Sequence, residues 1–361
     1  MKIIIFAGGT GKRFWPVSRK DAPKQFLAVG PADNAKPLVR QAFERVLSGF
    51  PIEDIFLSTG RKYEKEIGNI LPELLKENII FEPEMRDTGP AVTLAVAYVN
   101  SKFPEEVIAT IWQDHLVKDV PTFIDSLKEA EKIAKDDNKI VFITVPARFA
   151  SPHRGYIHFG EKIKDIQNEK IKCLEFKQFV EKPNEEVAKG YLEKGTYGWN
   201  PGYWIFKGSA FLNKIERTDI KIYSVCKEVV ESNFSTESLA KFSELEKMSA
   251  DYIFAEKVYP NQAVVLLSDI GWADVGEWIS LKEALEETKN SNVTKGNVHD
   301  MGSKDSLMYN LEDSKLLVTI GLNGFVVVNT PDVVAVFRKE DNTKLKDLLK
   351  GFEDNELSKY L

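Results

Sequence analysis

A glycine-rich loop near the start of this chain runs into a cluster of basic residues. In the stretch AGGTGKRFWPVSRKDAPKQF, Ala7 to Phe26, the apolar run Ile3-Ile4-Ile5-Phe6 gives way to Gly8, Gly9 and Gly11. Backbone N–H groups with no Cβ in front of them can approach a phosphate closely, and glycine tolerates the φ > 0 geometry of such loops. Between Lys12 and Lys24 stand five basic residues (Lys12, Arg13, Arg19, Lys20 and Lys24) against one acid, Asp21, a local charge of +4. The whole chain carries −6. A positive, glycine-lined segment on an acidic protein points to a polyphosphate ligand and away from a general nucleic-acid surface.

Two familiar phosphate motifs do not apply. A Walker loop needs Ser or Thr after Gly-Lys, and Gly11-Lys12 is followed by Arg13. A dinucleotide fingerprint needs a glycine three positions after Gly11, where Phe14 stands. Neither an ATPase nor a dehydrogenase is favoured. The plain alternative is a strand-to-helix turn with incidental lysines.

The stretch resembles the nucleotide-binding loop of the sugar-nucleotide pyrophosphorylases. Its Trp15-Pro16 and Pro23-Lys24-Gln25-Phe26 elements are most similar to the mannose-1-phosphate guanylyltransferases among them. The resemblance recurs in FEPEMRDTGPAV (Phe81–Val92), QDH (Gln113–His115), RGYI (Arg154–Ile157) and FVEKP (Phe179–Pro183). It continues in WNPGYWIF (Trp199–Phe206), ADYIFAEK (Ala250–Lys257) and GWADVGEW (Gly271–Trp278). It implies attack by a sugar-1-phosphate oxygen on the α-phosphorus of a nucleoside triphosphate, here mannose 1-phosphate on GTP, with Mg²⁺ as cofactor. Such a nucleophile is largely dianionic near neutral pH, because a phosphomonoester's second pKa is roughly 6. No serine, cysteine or histidine has to be activated. What remains is to align two anions and neutralise the leaving pyrophosphate.

The resemblance distributes these tasks. Gly8, Gly9, Gly11 and Thr88 would hold the nucleotide. Arg13 and Lys24 would clamp the leaving group, arginine as a planar fork and lysine as a point charge. Asp114 and Asp274 would hold Mg²⁺ through hard carboxylate oxygens; otherwise Asp114 is a helix cap and Asp274 a turn residue. Lys182 would meet the sugar phosphate, and Glu181 and Asn200 the sugar hydroxyls, with Gly155 admitting the sugar close to the backbone. The alternatives are a strand end broken by Pro183 and a turn glycine. Glu82 matches the neighbouring N1–H and N2–H₂ donors of guanine, or is a surface glutamate. His115 would fix the Asp114 loop, and Trp199, Tyr203 and Trp204 read as core or pocket wall. Lys12, Arg19 and Lys20 stay unassigned.

Some positions depart from the family pattern. Arg86-Asp87-Thr88-Gly89-Pro90 replaces the usual Arg-Asn-Thr-Ala-Pro, Phe14 a common leucine, and Pro201 a common serine. Asp87 adds negative charge near the nucleotide, and Pro201 removes a backbone donor beside the sugar. The identities of base and sugar therefore stay open. The rivals are a thymidylyl- or uridylyltransferase acting on glucose 1-phosphate, and a non-catalytic regulatory paralogue that binds sugar nucleotides. The second should lack a clamp or metal residue, yet Arg13, Lys24, Asp114, Lys182 and Asp274 are all present.

Positioning these groups requires an α/β fold. Short apolar strands at Lys2–Ala7, Asp54–Thr59, Ile79–Glu82, Val107–Trp112 and Ile140–Val145 alternate with helical patterns at Leu38–Leu47 and Gly89–Asn100. This predicts a mainly parallel sheet flanked by helices, with ligands at the carboxyl ends of strands; the resemblance implies that it is a Rossmann-like nucleotidyltransferase fold with a mixed sheet. Longer strands follow at Tyr156–Gly160, Ile171–Val180 and Trp199–Phe206, then helices from Asn213 to about Lys257. Short runs at Leu307–Tyr309, Leu316–Ile320, Gly324–Asn329 and Val333–Phe337 resemble a small C-terminal β-helix-like piece. The expected domains are 1–290, with a nucleotide lobe about 1–150 and a sugar-phosphate lobe about 151–290, and a β-rich 291–361 ending in a helix. At 361 residues with 43% hydrophobic content the chain can bury a large core. Two cysteines, Cys173 and Cys226, suit a reducing cytoplasm, and no apolar run suggests a membrane or a signal peptide. A homodimer is left open.

Overall fold

Four consecutive apolar residues, Ile3 to Phe6, cannot alternate between core and water. The computed structural model describes residues 1–9, 11–19, 24–29, 35–353 and 355–361, and it buries all four. Lys20 and Pro23 lie outside the described residues. The run forms β1 (Lys2–Phe6) of a nine-stranded sheet. Its other strands are β2 (Ile55–Gly60), β3 (Ile79–Glu82), β4 (Val107–Trp112), β5 (Ile140–Pro146), β6 (Tyr156–Lys164), β7 (Ile171–Val180), β8 (Tyr197–Lys207) and β9 (Ala263–Ser268). The order is β3-β2-β1-β4-β8-β5-β9-β7-β6. Every antiparallel pairing involves β7 or β8, so only these two run against the rest. The remaining neighbours pair in parallel, which gives the mainly parallel mixed sheet expected. The sequence pattern does not reveal β9. Its run AVVLLS is uniformly apolar, and periodicity cannot separate such a run from a buried helical turn. By pairing β5 with β7 through β9, the chain continues a single sheet past Pro146.

The pleat of β8 sends successive side chains to opposite faces. Trp204 and Phe206 join Ile4, Phe6 and Phe142 in one core, under the helix Thr88–Lys102. That helix runs one residue earlier and two later than its pattern predicts. Its Ala- and Val-rich sequence is buried on nearly every side, and Asp87 caps it at φ 67°, accepting from Thr88 N at 2.7 Å. Tyr203 points the other way and meets Phe123 of the helix Val120–Asp136 at 5.3 Å between rings.

This sheet belongs to one compact unit, made of Met1–Gly8, Phe43–Trp112 and Val117–Trp272. A second unit takes Gly9–Ala42, Gln113–Leu116 and Ala273–Leu361. Its β-rich part contains β10 (Val293–Lys295), β11 (Val298–Met301), β12 (Leu307–Asn310), β13 (Leu317–Ile320), β14 (Phe325–Asn329) and β15 (Val334–Arg338). β10, β12 and β14 stack in parallel, β11 stacks on β13, and β15 closes antiparallel on β14. The chain returns to the same place after 19 residues, where Asn329 Nδ2 donates to Asn310 Oδ1 at 2.7 Å. Leu307, Tyr309, Val326 and Val328 share a core with Phe14, Trp15, Val275 and Trp278. Trp15 Nε1 donates to Tyr360 O at 2.7 Å, and Trp278 Nε1 to Trp15 O at 3.0 Å. Arg19, unassigned from sequence, is structural: it donates to Pro16 O, Tyr360 O and Asp332. Among the described residues, no helix is long and apolar enough to cross a membrane.

Gly89 leaves no room for a side chain. Its N–H donates to Met248 O at 2.7 Å, and a Cβ there would stand 2.6 Å from that oxygen. Gly89→Ala is expected to destabilise the protein by about 2 kcal/mol through overpacking. Thermal unfolding that showed no loss would contradict this backbone contact.

Candidate active site

In the unit that begins at Gly9, Gly11 sits at φ 61°, and a Cβ on it would lie 2.6 Å from Lys24 Cβ and 2.8 Å from Ser18 Oγ. Only glycine lets the loop close on Lys24 here. A Cβ on Gly9, at φ 99°, would meet nothing within 4 Å, so this face of the loop is open. Lys24 Nζ forms an ion pair with Asp114 Oδ2, and both side chains are largely buried. Val275 N donates to Asp114 O at 2.9 Å and so ties the Asp114 loop to the segment that carries Asp274. The Asp274 carboxylate and the Arg13 guanidinium converge on Gly276. A Cβ there would lie 3.2 Å from Asp274 Oδ1 and 3.4 Å from Arg13 Nη2. Arg13 Nη1 also lies 3.7 Å from Glu277 Oε2. Four residues far apart in sequence, Arg13, Lys24, Asp114 and Asp274, thus gather in one unit.

Burial works to raise the Asp114 carboxyl, but Lys24 and His115 hold it below its ordinary value. It is therefore an anion, and with Asp274 it offers the hard oxygen donors that suit Mg²⁺. No group of three or more His, Cys, Asp or Glu that could hold a metal occurs among the described residues. A cation here would need phosphate and water oxygens to complete its shell, as Mg²⁺ commonly does. Beside Lys24, the Gln25 amide is fully buried and makes no hydrogen bond at either end among the described residues. Orphaned polar groups of this kind are uncommon and suit a site built for a polar ligand. The sequence reading passes over Gln25 because a glutamine carries no charge signal.

The other unit holds the remaining candidates. Glu82, at the end of β3, is 7% exposed and not a surface residue. Ser58 Oγ donates to its Oε1 at 2.9 Å, and burial raises its carboxyl despite that bond. It lies beneath Gly8, whose Cβ would be 3.8 Å away. Thr88 Oγ1 accepts from Ala250 N at 2.9 Å and lies 3.3 Å from Ser249 Oγ.

The four sugar-phosphate candidates come together. A Cβ on Gly155 would lie 2.7 Å from Glu181 Oε2, and Gly155 O accepts from Asn200 N at 2.9 Å. Asn200 Oδ1 is locked by Gly202 N at 3.0 Å and Trp204 Nε1 at 3.1 Å. Lys182, at φ 44°, turns its ammonium onto Glu181 Oε1. The Lys182 side chain is about half exposed and that of Glu181 only 5%. A non-glycine residue held in the left-handed region costs on the order of 1–3 kcal/mol and is found preferentially at functional sites. Trp199, Tyr203 and Trp204 are buried, as core or wall residues should be. Arg154 lies over the Trp199 ring at 4.1 Å and near Phe149 and Trp272, each at 5.1 Å.

Burial and the neighbouring Asp251 push Glu181 up to about 7, against the pull of Lys182. A carboxyl whose folded value exceeds its ordinary 4.5 binds its proton more tightly when folded. Stability from this group falls as pH rises from about 4.5 to about 7, then levels off. Glu181→Gln should accordingly raise Tm over the parent protein at pH 8, and the gain should shrink below pH 7 and vanish near pH 4. A gain independent of pH would show that Glu181 does not titrate in this range.

Residues 2–291 match the family model for nucleotidyl transferases. The chain is 32% identical to mannose-1-phosphate guanylyltransferase 2 of Escherichia coli O157:H7, over 99% of this chain and 74% of that protein. It is 31% identical to the alginate biosynthesis protein AlgA of Pseudomonas putida, over 97% of this chain and 71% of that one. Among solved structures, one named mannose-1-phosphate geranyltransferase from Thermus thermophilus superposes with a TM-score of 0.85 at 26% identity, covering 98% of this chain and 99% of that one.

Proposed function

Because the chain belongs to the nucleotidyl transferase family, and within it to the mannose-1-phosphate guanylyltransferases, we propose that it transfers a guanylyl group from GTP to mannose 1-phosphate. The products are GDP-mannose and pyrophosphate. At the coarser level it is a sugar-1-phosphate nucleotidyltransferase. The observation that most supports the transfer chemistry is the gathering of Arg13 and Lys24 with Asp114 and Asp274, while similarity to the guanylyltransferases supports the choice of GTP and mannose. It sets two cations for a leaving pyrophosphate beside two carboxylates for a metal.

In this reading a mannose 1-phosphate oxygen attacks the α-phosphorus in line. The bond to the β-phosphate breaks, and pyrophosphate leaves with the electron pair. Arg13 and Lys24 neutralise its charge. Asp114 and Asp274 would hold Mg²⁺, which when bound supplies further neutralisation of the triphosphate oxygens. Gly8, Gly9, Gly11 and Thr88 hold the nucleotide, and Glu82 accepts from guanine. Lys182 binds the phosphate of the sugar, while Glu181 and Asn200 accept from and donate to its hydroxyls beside Gly155. On this reading the chain divides by task into a nucleotide lobe about 1–150, a sugar-phosphate lobe about 151–290 and a C-terminal β-rich domain 291–361. We place the protein in the cytoplasm.

Pyrophosphate release across four nucleoside triphosphates and several hexose 1-phosphates tests this. GTP with mannose 1-phosphate should be preferred, and EDTA should abolish turnover. Asp114→Ala should lower kcat by about 10³, and Lys182→Ala should chiefly raise KM for the sugar phosphate, by about tenfold. Preference for UTP or dTTP with glucose 1-phosphate would establish the rival pair, and binding without turnover the regulatory one. Glu82→Gln should weaken GTP use much more than sugar-phosphate binding; equal loss of both would remove Glu82 from the base site.

A further inference from the structure

Asp251 has no part in the roles above, yet it stands among the sugar-phosphate residues. It opens the short helix Ala250–Ile253, where Ser249 Oγ donates to its Oδ2 at 2.8 Å. Asn200 Nδ2 lies 3.4 Å from its Oδ1, a long contact that leaves this oxygen mostly free. Since Asn200 Oδ1 is locked by Gly202 and Trp204, the position of Asp251 relative to the Asn200 amide is defined. Ser249 is tied in turn to Thr88.

The electrostatics of this arrangement call for an explanation. Asp251 is partly buried and makes no ion pair among the described residues. Burial raises its carboxyl, although Ser249 and Lys182 work against it, and it raises that of Glu181 in turn. Glu256 adds a third acid, its Oε1 3.4 Å from Glu181 N. If Asp251 served only to cap a turn, an asparagine would do so without the repulsion. A phosphate would be repelled by this pair. A neutral polyol would not: each carboxylate keeps unused lone pairs, and hydroxyl groups supply donors without adding charge.

We propose that Asp251 is a second hexose-binding carboxylate, which with Glu181 accepts hydrogen bonds from two different hydroxyls of the sugar ring. The inference rests on the reading of Lys182 and Asn200 as the sugar-phosphate site. Lys182 then carries the phosphate end of the substrate, and the two carboxylates grip its ring. The pair selects the sugar by the direction of its hydroxyls.

The test uses the whole chain with mannose 1-phosphate and its 2-, 3-, 4- and 6-deoxy analogues. Asp251→Asn should raise KM for mannose 1-phosphate about tenfold or more, the loss expected for a charge-assisted hydrogen bond. KM for GTP should change little, kcat should change less than threefold, and Tm should hold or rise as the repulsion with Glu181 is relieved. One deoxy analogue should cost the parent protein about as much as the mutation does, and cost the variant nothing further. Ser249→Ala, which removes one anchor of Asp251, should raise the same KM by a smaller factor. A fall in Tm with equal rises in both KM values would assign Asp251 to the fold and overturn the proposal. So would a variant that loses as much as the parent on every deoxy analogue. Normal parent turnover with an unaltered Asp251→Asn variant would overturn this inference alone, whereas a parent inactive on every hexose 1-phosphate would overturn the sugar-phosphate reading beneath it.

Discussion

The contact on which the proposed nucleotide site depends is the ion pair of Lys24 with Asp114. An ammonium and a carboxylate, largely withdrawn from water, must each be paired or pay a desolvation cost of several kcal/mol. Pairing with Lys24 keeps the Asp114 carboxyl ionised. It also keeps both ready for a ligand that carries charges of the two signs, as a metal-bound triphosphate does. Gly11 makes the contact possible, since any larger residue would push the loop off Lys24. The Val275–Asp114 backbone bond brings Asp274 to the same place.

A second constraint is mechanical. The glycine loop continues into Phe14 and Trp15, which lie in the same core as the C-terminal coil. Trp15 and Arg19 both donate to Tyr360 O, and Trp278 donates to Trp15 O. The coil therefore acts as a rigid support for the residues after the loop. Side chains held by packing on rigid elements keep their geometry, which matters where charge must be met at a fixed point.

The residues proposed for the sugar phosphate rest on a different compromise. Lys182 occupies the left-handed region, and Glu181 and Asp251 repel each other in a partly buried setting. Neither feature helps the fold. Each is tolerated because the sheet and the locked Asn200 amide determine where these groups must lie.

Much of this was legible in the chain itself. Uniform apolar runs marked β1 and β4, the alanine-rich stretch marked the helix after Asp87, and the glycines beside Arg13 and Lys24 marked the loop on which the nucleotide proposal rests. These signals are local: they depend on neighbours in sequence and on side-chain chemistry. Tertiary structure alone decided that β9 enters the sheet, because its run carries no period that separates strand from helix. It alone made Glu82 a buried residue, gave Arg19 to the C-terminal end, left the Gln25 amide unpaired and set Asp251 beside Glu181. Such facts come from pairings across tens to hundreds of residues. Burial and the approach of distant charges change what a side chain is, and no window of sequence contains them.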